Sequence, residues 1–114
     1  MTALSPYARA LQFMEQHPGC GGTRSLAKLL LSLWNGDAAF SFRECIDNLD
    51  DERTQLALAC VIRFAQRGED QELVEVGYRV HELYPRVWEL GVAALEARHA
   101  VRAKWDAERE REEA

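Results

Sequence analysis

The chain has 114 residues, 47% hydrophobic and 29% charged, a balance that suits one globular domain and excludes a disordered chain. Its net charge of −5 argues against a footprint on phosphate backbones, because non-specific nucleic-acid affinity comes from concentrated Lys and Arg. Cys20, Cys45 and Cys60 are odd in number and form no C-x-x-C pair, which points to neither a disulfide framework nor a structural zinc site and fits a reducing cytoplasm.

Helical punctuation is plain along the chain, while sustained period-two alternation is absent, so the expectation is an all-α, single-domain bundle of five to six helices. Ser5 before Pro6 reads as an N-cap followed by proline at the first helical position, and Tyr7, Ala10, Leu11 and Met14 continue a helix over 6–16. His17, Pro18 and Gly19 stop it. Thr23 is expected to cap a second helix whose wide apolar face, Leu26, Ala27, Leu29, Leu30, Leu31, Leu33 and Trp34, implies a central position. Asn35 and Gly36 would end it in a left-handed turn. Ser41-Phe-Arg-Glu44 matches the capping box and predicts a short helix over 42–48. Asp50 or Asp51 opens a fourth, with Leu56, Ala59, Cys60, Ile62 and Phe64 apolar until Arg67-Gly68. Asp70 caps a fifth with Leu73, Val76, Val80, Leu83 and Tyr84 on one face, ended or kinked by Pro85.

From Arg86 a long helix changes character. Val87, Leu90, Ala94, Leu95 and Val101 form a stripe that can pack on the body, which bounds the main domain at 1–100. The following run AKWDAEREREEA is dominated by charge, so residues 101–114 read as a solvated or frayed extension, held partly by Arg102 with Asp106 and Glu108 with Arg111. No apolar run is long enough to cross a bilayer, and the N-terminus lacks a basic segment followed by an apolar core, so a cytoplasmic protein is expected.

The stretch HPGCGGTRS, residues 17–25, raises the question of catalysis, because a cysteine, glycines and an arginine at a helix start are how a thiolate phosphatase cradles phosphate. Only Gly21, Gly22 and Thr23 separate Cys20 from Arg24, two residues too few to encircle a phosphate, and a helix rather than a strand precedes the loop. A helix connection explains it, with Gly21, Gly22, Thr23 and Arg24 retained as a candidate anion site at the helix start. The loop is not a Walker loop, and His81-Glu82 is followed by Pro85 where a zincin needs its second histidine. His17, His81 and His99 are scattered, and Asp47, Asp50 and Asp51 cluster where acidic residues complement a helix dipole. No catalytic residue, metal, cofactor or small-molecule substrate is expected.

Trp34 and Trp88 read as core. Trp105 stands among Lys104, Asp106 and Glu108, either as an end-of-core anchor or as a contact residue for another chain. With Val101, Arg102 and Arg98 it forms the candidate protein-interaction surface. Val87, Leu90, Ala94, Ala97 and Val101 also alternate at three- and four-residue steps, as a homodimer seam would, until Lys104 breaks the run.

The run Gly22-Thr-Arg-Ser-Leu-Ala-Lys-Leu-Leu-Leu-Ser-Leu-Trp-Asn35, followed by Phe42-Arg-Glu-Cys-Ile-Asp-Asn-Leu-Asp50, resembles a family of small helical proteins carried on proteobacterial plasmids, integrative elements and prophages. The similarity covers about residues 7–67: a polar loop, Thr before Arg, Leu before Ala, a leucine pair and an aromatic-Asn helix end. The resemblance implies an accessory role on mobile DNA and carries over no catalytic motif. Three functions follow as expectations. The first is a non-enzymatic interaction or modulator protein with a host or element-encoded partner. The second is a DNA-associated regulator using residues 42–48 and the helix from 51 as a helix-turn-helix, opposed by the acidic start Asp51-Glu52. The third is a small thiol enzyme using Cys20.

Overall fold

The computed structural model describes residues 4–114, so the first three residues of the expected 1–100 domain lie outside the described residues. Six α-helices and no strand occur among the described residues: α1 (Pro6–Gln16), α2 (Gly21–Trp34), α3 (Phe42–Ile46), α4 (Asp51–Arg67), α5 (Gln71–Leu83) and α6 (Pro85–Glu113). The all-α expectation holds.

Side chains set five of the six helix starts by accepting an orphan backbone N–H. Ser5 accepts from Ala8 at 3.1 Å, Asp50 from Arg53 at 2.8 Å and Asp70 from Leu73 at 2.8 Å. Both halves of the capping box form, with Glu44 N–H on Ser41 Oγ at 3.2 Å and Ser41 N–H on Glu44 Oε2 at 2.9 Å. Thr23, however, is not the cap of α2. Cys20 takes that place, its Sγ accepting the Thr23 N–H at 3.4 Å, because the Thr23 side chain is buried and donates its hydroxyl to the His17 carbonyl at 2.6 Å.

Two helix ends also differ from expectation. Asn35 leaves α2 in an extended conformation rather than a left-handed one, and its Oδ1 accepts the Asp37 N–H at 2.9 Å in a local Asx turn. α3 stops two residues early: the Asp47 carbonyl is taken by the Ser25 hydroxyl of α2, and Asn48 adopts φ 61°, turning the chain toward α4. Gly68 closes α4 at φ 67°, where glycine carries no Cβ penalty.

α2 is the hub and touches every other helix. Leu26, Leu30 and Leu31 are fully buried, surrounded by Tyr7, Ala10 and Met14 of α1, Ala57 and Cys60 of α4, and Leu73, Val76 and Val80 of α5. Truncating one such leucine to alanine costs about 2–5 kcal/mol. Ile62, one of the apolar residues read along α4, is 55% exposed, one turn from the exposed Leu58.

Two glycines permit close approaches that position α6. A Cβ on Gly77 would lie 2.1 Å from Trp34 Cγ, so the indole rests directly on the α5 backbone. A Cβ on Gly91 would meet Phe40 at 2.9 Å, and the Gly91 carbonyl accepts the Ala39 N–H at 3.0 Å, fastening the α2–α3 loop to α6. Tyr84 serves as C-cap of α5 and N-cap of α6 at once, with Pro85 at the first helical position. Every residue from Glu96 to Ala114 is exposed, and the helix runs unbroken to Glu113. The charged extension is thus the outer part of an exposed helical arm that spans residues 96–114.

Candidate functional site

At the start of α2 the chain folds onto itself. Gly21 and Gly22 lie against the α3–α4 loop, where a Cβ would meet Asn48 at 3.3 Å and the Asn48 carbonyl at 3.4 Å respectively. That contact explains the glycine pair without a phosphate. Arg24 is exposed, and its N–H donates to the Cys20 carbonyl at 3.2 Å. Cys20 is exposed, and hydrogen bonding by Thr23, first through its hydroxyl and then its N–H, holds the thiol below the usual cysteine range. Its Sγ lies 3.1 Å from Thr23 Oγ1. Cys45 and Cys60 are buried, and desolvation pushes Cys60 up to about 12.

The histidines stand apart. His17 packs its ring on Phe13 at 4.6 Å, His81 lies between Trp34 and Trp88 at 5.9 and 5.1 Å, and His99 is exposed on α6. No group of three or more His, Cys, Asp or Glu is arranged to hold a metal ion among the described residues. Asp50 is consumed as a cap, and Asp51 and Glu52 occupy the first turn of α4, where the helix dipole favours them. α3 is only five residues long and packs chiefly on α2.

A polar groove of about 470 Å³ lies between α1 and α4. Arg53 lines it, stacked over Phe13 at 4.2 Å and paired with the exposed Glu52 at 3.1 Å, and Arg9 adds a second basic side chain to its wall. Trp34, Tyr78, His81 and Trp88 make an aromatic cluster with ring centroids 5.1–5.9 Å apart. Trp34 and Trp88 are half-buried there, and the rings fill the space between them. Sequence reading placed both tryptophans in the core but not together. The i, i+3 step from Tyr78 to His81 was the available sign of one side of the cluster.

The interaction candidates share one surface. Trp105 is 59% exposed and Val101 45%, one turn apart, with Arg98 and Arg102 exposed beside them. Leu90, expected to pack on the body, is 63% exposed. The body side of α6 is supplied by Val87, Trp88 and Gly91, so Val87 belongs to the packed face rather than to a dimer seam. The anticipated couples Arg102 with Asp106 and Glu108 with Arg111 do not form. Asp106 pairs with Arg109 at 2.9 Å, and Arg111 reaches the Ala107 carbonyl.

Among the described residues no helix is long and apolar enough to cross a membrane. Comparison with protein-family models, curated proteins and solved structures finds no match to this chain.

Proposed function

We propose that this is a non-enzymatic interaction protein that engages a protein partner through the exposed arm of α6. The observation that carries the reading is the pair Val101 and Trp105. A large aromatic stands more than half exposed on a helix that has left the body, flanked by Arg98 and Arg102. Exposed aromatic and arginine side chains together are the composition of protein-contact centres, since both gain strongly from desolvation against a partner. The acidic net charge supports a protein rather than a nucleic-acid partner. The resemblance over about residues 7–67 adds the setting: an accessory protein of a mobile element or prophage, acting in the cytoplasm.

The test is capture from nuclease-treated host lysate with tagged full-length chain, alongside Trp105→Ala. Stoichiometric retention of a protein, whether foreign or an untagged copy of this chain, lost in the variant, supports the reading. Retention of nuclease-sensitive material alone moves the assignment to a DNA-associated regulator. Empty eluates overturn it.

A further inference from the structure

The arm carries its charges in an order that a solitary helix does not favour. Residues 98–104 hold Arg98, Arg102 and Lys104 with no acid among them, whereas 106–113 hold Asp106, Glu108, Glu110, Glu112 and Glu113 against Arg109 and Arg111. The helix macrodipole prefers the reverse, with acids toward the N-terminus and bases toward the C-terminus. Arg98 with Arg102, Asp106 with Glu110, and Glu108 with Glu112 are like charges four residues apart, each mildly destabilising within one helix. The opposite-charge couples at that spacing, Arg102–Asp106, Lys104–Glu108 and Arg109–Glu113, all place the base first, the weaker order. Among the described residues Arg98, Arg102, Glu108 and Glu112 make no ion pair.

Steps of three and four residues put Arg98, Val101, Arg102, Trp105, Glu108, Arg109 and Glu112 on one face, with Arg109 held by Asp106 of its own helix. Read along the helix, that face is basic, then apolar, then acidic. Four of its charges are antisymmetric about Trp105: Arg98 and Glu112 are equally distant from it, and so are Arg102 and Glu108, while Arg109, opposite Val101 in this order, is already paired with Asp106. The fully exposed arm, Glu96 to Ala114, also has Trp105 at its midpoint. A longer overlap between two arms would drive each tip into the other body.

We infer that the occupant of this face is a second copy of the same chain, its arm running antiparallel about a two-fold axis at Trp105. The inference rests on the arm being a contact surface, as argued above, and names what contacts it. The two indoles meet at the axis with Val101 one turn away on each side. Arg98 and Arg102 of each arm then face Glu112 and Glu108 of the other, and each acidic C-terminus lies beside the basic stretch of its neighbour. A parallel pair would set base on base and acid on acid. The interface is isologous and confined to two helices, so the association is reversible and concentration-dependent.

Sedimentation velocity of the purified, untagged full chain, under reducing conditions over a concentration ladder up to about 1 mM, tests this. A monomer–dimer equilibrium is expected, weakened about ten-fold or more by Trp105→Ala and weakened on raising salt from about 0.1 M to about 1 M. The decisive pair is R98E/R102E and E108R/E112R. Each alone should sediment as monomer, and an equimolar mixture should recover the dimer, because only the mixture restores opposite charge at both ends. Circular dichroism confirms that the body stays folded in every variant. A dimer indifferent to Trp105→Ala and to the charge reversals overturns the assignment. So does a chain that stays monomeric throughout, and if it still captures a foreign protein through Trp105, the interaction reading stands while the second copy is eliminated.

Discussion

Cys20 shows how a single residue type changes meaning with its surroundings. It is exposed at a helix start with its thiol held below the usual range, while burial raises the thiols of Cys45 and Cys60. Limiting alkylation at neutral pH, followed by mass spectrometry, should therefore modify Cys20 first and reach the other two only on unfolding. Such a rate difference follows from exposure and thiolate fraction and requires no catalytic partner. The sequence allowed the glycines and threonine beside it to be read as a connection, and the structure agrees, but the cap itself was assigned to the wrong side chain. Threonine is the better intrinsic cap. What overrode that preference was burial of Thr23 under a hydrogen bond to His17, six residues back, which spacing alone does not reveal. The exposure of Trp105, by contrast, was legible because Arg102, Lys104, Asp106, Glu108 and Arg109 surround it within a turn.

At the scale of the elements, the starts of α1, α3, α4 and α5 and most stops were legible because caps and breakers act within four residues. The exceptions have tertiary causes. α3 ends early because Asp47 is extended and Asn48 left-handed, a turn fastened by the hydroxyl of Ser25, twenty-two residues earlier, on the Asp47 carbonyl; Ile62 faces outward because α1 and α2 leave that side of α4 uncovered. Leu90 was assigned to the body since a stripe of apolar residues on α6 is wider than the face the body covers. The approach of Trp34 to Gly77 was hidden as well, for a glycine inside a helical pattern gives no sign of what lies over it. Gly77→Ala would place a methyl group inside the indole and must displace it, spreading the cluster of Trp34, Tyr78, His81 and Trp88. The expected loss is about 1–3 kcal/mol of unfolding free energy despite the better helix propensity of alanine, measured by urea denaturation, with near-ultraviolet dichroism of the tryptophans changed at zero denaturant.

For the whole molecule, the tie between α4 and α5 is electrostatic and titrates. Arg63 donates to Asp70 at 3.1 Å and to Glu72 at 3.2 Å, while Asp70 also caps α5. Burial opposes the charge on Asp70, but the Leu73 N–H and Arg63 together outweigh it and hold the carboxyl below the usual aspartate range. A carboxyl lowered by folding contributes stability that is fully present above the unfolded value, about 3.9, and is lost as pH falls through the folded one. Thermal melts from neutral pH downward should accordingly hold steady to about pH 4 and then fall, and Asp70→Asn, which keeps a capping oxygen, should start lower and show a shallower decline. Finally, the joint at Tyr84 gives the molecule mechanical character. α5 and α6 share that one residue as their connection, and a 29-residue helix is a rod about 43 Å long, so a tilt of about 10° at its root would sweep the tip through several ångströms. The bond from Ala39 to Gly91 sits near the fulcrum and resists that tilt. The α2–α3 loop is therefore the brake on the lever, and a load applied to the far end of the arm is felt first as strain at the half-buried Phe40, in the other half of the chain.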